Sequence, residues 1–219
     1  MTETKLSESP SLMNEVKTKW LTSWFNYVTL VLIIIQYMLL THMKPLATFD
    51  FWSILALIIV IFLGCKWCLE RTSIPGLFEN FSVSWAFGGL GMLLGHHVDA
   101  GAFSHHAAHH LSLMSFITSG MTIGMLVFCI PACIVFCNKK LVHLSQGSKC
   151  LLHIGSSAFM LVGMLVAVLV SSHAFAPANN AVFFDHFFML LLMVIFSNIA
   201  YAFIVNCCSN ANKTLEELH

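Results

Sequence analysis

A chain of 219 residues that is 58% hydrophobic and 9% charged, with a mean hydropathy of +0.84, is too apolar for a water-soluble domain, in which about a quarter of the residues are charged. Ten Lys and Arg balance ten Asp and Glu, so no basic surface exists to neutralise a phosphate backbone, and nucleic-acid partners are excluded. There is neither a Walker-type phosphate loop nor a polar stretch long enough for a nucleotide-binding domain, which places the chemistry in or beside a bilayer.

Residues 1–19 form a polar N-terminal segment in which Lys5, Lys17 and Lys19 precede a full-length apolar stretch, a pattern unlike that of a cleaved secretion signal. Six apolar stretches follow, from Trp20 to Thr41, Phe51 to Cys68, Phe81 to Gly95, Leu111 to Cys137, Leu151 to Ser172 and Val182 to Val205. A hydrocarbon core of about 30 Å needs roughly 20 apolar residues per helix. The fold class expected is therefore an all-α integral membrane protein, a six-helix transmembrane bundle over residues 20–206 with a tail at 207–219. The third stretch is the weakest, because Gly88, Gly89, Gly91 and Gly95 dilute it, and a re-entrant segment is the alternative there. With six crossings, Lys5, Lys17, Lys19, Lys66, Arg71, Lys139, Lys140, Lys149 and Lys213 share one side, and Lys44 alone stands on the other. Basic residues accumulate on the cytoplasmic side of short loops, so both termini are expected there. A multi-pass protein of a bacterial inner membrane or of a eukaryotic plasma or organelle membrane fits this pattern.

This topology sorts the twelve histidines. His42, His96, His97, His105, His106, His109, His110, His173 and His186 fall on the outer side, and His143, His153 and His219 on the inner one. Six of them and Asp99 lie within residues 96–110. If Ser104 caps the fourth helix, His105/His109 and His106/His110 become i, i+4 pairs, each able to hold one ion through two imidazoles. Imidazole suits copper, zinc, iron and nickel, and a carboxylate from Asp99 or Asp185 sharpens the geometry. The last outer loop brings His173 and the pair Asp185-His186 to the same face. The expected metal set is thus His96, His97, Asp99, His105, His106, His109, His110, His173, Asp185 and His186.

Sulfur follows the opposite gradient. All eight cysteines map to the inner half, so a disulfide framework is not expected, and Cys65-Lys66-Trp67-Cys68 ends the second helix as a single CxxC. On the fourth helix Met121, Met125, Cys129, Cys133 and Cys137 recur every four residues, a sulfur ladder leading inward from the histidine mouth. Met160/Met164 and Met189/Met193 repeat the spacing on the fifth and sixth. Thioethers and thiolates select Cu(I) over harder ions. Gly91/Gly95 and Gly120/Gly124 are small-x3-small pairs expected to press the third and fourth helices together, and Pro131 permits a kink or a polar point along the ladder.

The run Gly120 to Met125 resembles the selectivity region of the high-affinity copper transporters, which have three spans per subunit. Asp185-His186 before Met189 is similar to the Asp-His signature of small nickel permeases, although Asn180 stands where that signature has an upstream histidine. His106-Ala107-Ala108-His109-His110 resembles one HxxHH box of membrane desaturases and hydroxylases. The function expected from the residues is a metal permease or metal-handling protein rather than an enzyme, binding a transition metal ion with copper first and zinc, iron or nickel behind it. The alternatives are a redox protein with haem or a metal centre, similar in helix count to the b-type membrane cytochromes, and a noncatalytic subunit that senses metal or pH. Expected partners are membrane lipid, the metal ion, and a second copy or another chain of a membrane complex.

Overall fold

The computed structural model describes residues 10–43, 48–98, 116–142, 144–174 and 181–217. Among the described residues every regular element is a helix: α1 Pro10–Met43, α2 Thr48–Leu69, α3 Leu77–Val83, α4 Gly89–Val98, α5 Gly120–Phe136, α6 Gln146–Ala174 and α7 Ala181–Glu217. A π-helical stretch, Ser84–Gly88, joins α3 to α4, so that residues 77–98 form one rod. Local chemistry sets the helix starts. Pro10 opens α1, where its missing N–H has no partner to lose. Asp50 sits in the first turn of α2, at the positive end of the helix dipole. The hydroxyls of Ser119 and Ser145 accept the backbone N–H of Thr122 at 3.3 Å and of Ser148 at 3.1 Å, capping α5 and α6.

Among the described residues, four helices are long and apolar enough to cross a membrane: Trp24–His42, Asp50–Leu69, Gln146–Val170 and His186–Ser209, with 19, 20, 25 and 24 residues. Large apolar side chains such as Tyr27, Trp52, Val60 and Phe203 stand exposed on them, a surface suited to lipid rather than water.

The rod of residues 77–98 lies in the middle of the bundle, and every residue from Leu77 to Ala86 is buried. Its low hydropathy comes from that position, since a helix packed on several sides needs small and hydrogen-bonding residues more than it needs greasy ones. A Cβ on Gly91 would strike the backbone of Gly124 on α5, and one on Gly95 the backbone of Gly120. The two glycine pairs therefore meet as expected, with α4 and α5 antiparallel. Along the other side, Asn80 Nδ2 donates to Ser197 Oγ at 3.2 Å and to Asn198 Oδ1 at 3.4 Å, and the hydroxyls of Ser84 and Ser197 are 3.1 Å apart, tying the rod to α7. α6 and α7 run antiparallel against each other, Gly163 facing Leu192 and Gly155 facing Ile204.

From α1, Gln36 Nε2 donates to the carbonyl of Trp85 at 3.0 Å and to that of Ala86. A π turn loosens the regular carbonyl ladder, and this amide supplies an additional donor to it. Gln36→Leu should destabilise the protein by about 1 kcal/mol, the net worth of such a bond. Hydrogen-exchange mass spectrometry should show the loss of protection concentrated at residues 84–90, and unchanged exchange there would remove Gln36 from this role.

The fourth stretch departs from expectation. The sequence predicts an uninterrupted span from Leu111 to Cys137, with Ser104 as the cap if residues 105–110 begin the helix. In the structure the helix carrying the sulfur ladder begins at Gly120 under Ser119 and has 17 residues, and a turn at Thr118 and Ser119 separates it from the helical residues Phe116 and Ile117. The break has a local cause: the Ser119 and Thr122 hydroxyls both donate to Phe116 O at 2.8 Å, closing a turn instead of continuing a helix.

Candidate functional site

Packing of α5 against the rod decides which face of α5 points inward. With Gly124 pressed on Gly91, the neighbouring Met125, Cys129, Cys133 and Cys137 are all turned into the core, and Met121 is half-buried at its upper end. The ladder is thus one continuous buried line of sulfur. Met160 and Met164 of α6 and Met193 of α7 are buried in the same core. Cys129 Sγ lies 3.8 Å from Cys133 Sγ and 3.7 Å from Met160 Sδ. Gly88 makes this convergence possible, since a Cβ there would stand 3.0 Å from the Met160 methyl, 3.3 Å from the Met193 methyl and 3.7 Å from Met125 Cγ. Pro131 takes no part in the line. It and Val127, whose carbonyl it deprives of an N–H, both lie on the exposed face of α5, which corrects the expectation of a polar point along the ladder.

The histidine end is partly visible. His96 closes α4 and His186 lies near the start of α7, and their rings meet edge to face with centroids 4.7 Å apart. His186 is buried, His96 half-buried and His97 exposed. His96 and His186, ninety residues apart in the numbering, are expected at one membrane face from the span order, and the packing of α4 against α7 makes them direct neighbours. Asp99, His105, His106, His109 and His110 lie outside the described residues, as do the side chains of His173 and Asp185.

The opposite end of the bundle carries different chemistry. Glu79, nearly buried, pairs with Lys140 at 3.6 Å. His153 shares a 2.9 Å hydrogen bond with Asn138 Oδ1, and the Tyr201 hydroxyl donates to Pro75 O at 3.1 Å. The CxxC pair is not drawn into the sulfur line. Cys65 and the exposed Cys68 border an apolar groove of about 660 Å³ between α2 and α7. Among the described residues no three His, Cys, Asp or Glu side chains converge as a metal-ligand set, although Cys133 has Cys129, Cys137 and His153 as neighbours. Sequence reading overlooked the polar seam of Gln36, Asn80, Ser84 and Ser197. Its signal was present, because amides inside apolar helices mark interhelical contacts or functional positions.

Compared with protein-family models, curated proteins and solved structures, the chain matches none.

Proposed function

We propose that the chain is a six-span membrane permease or metal-handling protein for a transition metal, copper being the ion its donors fit best, with both termini cytoplasmic. The observation that carries this reading is the buried sulfur line from Met125 to Cys137, joined by Met160 and Met193 from two other helices. Soft donors in a row select Cu(I), and a series of moderate sites lets an ion enter and leave without being trapped. Imidazoles belong at the mouth, where His96 and His186 already meet, and Asp99, His105, His106, His109, His110, His173 and Asp185 are assigned to the same entrance. The concentration of Lys and Arg at the other end of the helices supports the orientation.

The test is elemental analysis and a visible spectrum of detergent-purified protein, followed by copper uptake into proteoliposomes. These are run beside a variant with His105, His106, His109 and His110 all changed to Ala. Stoichiometric copper without a Soret band is expected, with uptake reduced about tenfold or more in the variant, the usual scale for loss of metal ligation or its support. A Soret band would replace this reading with haem redox chemistry. Protein that takes up neither copper nor haem on reconstitution would end it.

A further inference from the structure

We propose that Cys129, Cys133 and Met160 form a three-sulfur binding site for Cu(I) where α5, α6 and the π stretch meet. The inference rests on the metal-handling reading and names the position inside the protein at which the ion is held.

Geometry comes first. A metal–thiolate bond of about 2.3 Å sets the donors of a three- or four-coordinate ion roughly 3.8–4.0 Å apart. The two separations from Cys129 Sγ, 3.8 Å to Cys133 Sγ and 3.7 Å to Met160 Sδ, fit that spacing, so Cys129 stands within ligand distance of both other donors. All three side chains are buried, at 0%, 2% and 1% exposure, so the site is closed to bulk solvent.

The third ligand is held in place by the π stretch. Ser84 Oγ approaches Met160 Sδ at 3.9 Å, and the Met160 methyl occupies the space that Gly88 leaves empty. Ser84 and Gly88 are the two ends of that stretch, and short π insertions in helices concentrate at functional positions. A side chain at Gly88 would crowd the Met160 methyl, which would have to give way by a few tenths of an ångström.

Charge selects the ion. Binding Cu(I) to this set needs one thiol proton to leave for solvent. One thiolate, one thiol and one thioether then surround a single positive charge, and the centre is neutral. No electron is transferred, because the ion arrives already reduced. A neutral centre avoids the large desolvation cost of net charge in a low-dielectric core. Zinc prefers four ligands drawn from thiolate, imidazole and carboxylate. Here one of the donors is a thioether, and Cys137 and His153, which neighbour Cys133, do not group with the pair as a metal-ligand set among the described residues.

The experiment is an anaerobic Cu(I) titration of the full-length detergent-solubilised protein against a Cu(I)-selective chelating dye, with X-ray absorption on the loaded sample. It compares wild type, Cys129→Ser, Met160→Leu and the exposed-site control Cys150→Ser. Met160→Leu keeps volume and apolarity, so it separates ligation from folding, which thermal unfolding of the metal-free proteins checks. Expected are sulfur-only coordination at about 2.3 Å and a loss of Cu(I) affinity of roughly 10–100-fold in Cys129→Ser and in Met160→Leu, with Cys150→Ser unchanged. Wild-type affinity in Met160→Leu, or nitrogen or oxygen in the inner shell, overturns the site, and the permease reading survives if vesicle uptake persists. If the titration behaves as expected but wild-type vesicles take up no copper, the site stands and the transport reading falls.

Discussion

Gly124→Leu is expected to abolish folded, monodisperse protein in detergent, and Gly91→Ala to lower the thermal midpoint sharply. At both positions the atom that meets an added Cβ is backbone of the facing helix, the Gly124 carbonyl in one direction and the Gly91 carbonyl in the other. A flexible side chain can turn aside, whereas a helix backbone must move as a body. In lipid no hydrophobic force holds helices together, because tails are as apolar as leucine, so the close contact itself supplies the attraction. Overpacking in a tight core costs about 1–3 kcal/mol and more where nothing can give. The same separation would carry Cys129 away from Met160, so any protein that survives should also lose Cu(I) affinity. Gly64 is the control. A Cβ there meets nothing, and Gly64→Ala should be neutral or stabilising by about 0.5–1 kcal/mol through helix propensity. Thermal unfolding followed by size-exclusion chromatography reads all three. A wild-type midpoint for Gly124→Leu would show that α4 and α5 do not touch there.

The second large effect is expected at Gly76→Ala. Gly76 precedes α3 with φ at +79°, the one positive-φ glycine among the described residues. An L-residue in that conformation costs about 1–2 kcal/mol. The new methyl would also collide with the Tyr201 hydroxyl, displacing it from Pro75 O. A buried hydroxyl left without its acceptor costs about 1–3 kcal/mol more. A double-mutant cycle with Tyr201→Phe divides the two contributions. Removing the hydroxyl makes room, so Gly76→Ala should cost less in the Tyr201→Phe background than in wild type, leaving only the backbone strain. Equal costs in the two backgrounds would show that the hydroxyl and the turn are not in contact.

Helix content and the membrane-compatible surface were legible in the residues because they follow from composition and span length. The inward facing of the sulfur ladder was legible too. A four-residue repeat keeps Met125, Cys129, Cys133 and Cys137 close to one face, and the Gly120/Gly124 pair beside it indicated which face would be pressed against a neighbour. The third stretch was harder to read. Hydropathy measures transfer into lipid, while this rod is surrounded by protein, and Ser82, Ser84 and the glycines lower the hydropathy of the stretch from Phe81 to Gly95. The turn at Thr118 and Ser119 escaped notice because apolarity continues through it, and only the hydroxyl bonds to Phe116 O mark the break.

By itself the sequence determined the chemical inventory and its one-dimensional order. With six crossings, nine of the twelve histidines are expected at one set of helix ends and the cysteines and most basic residues at the other, because spacing along a helix converts into depth and face. Tertiary structure alone decided which donors from different helices become neighbours. The meeting of Met160 with Cys129, of His96 with His186, and of Gln36 with the π carbonyls depends on helix rotation and approach. The small-x3-small pairs mark where two backbones can touch, and only the packed bundle fixes the rotation that brings donors of other helices together.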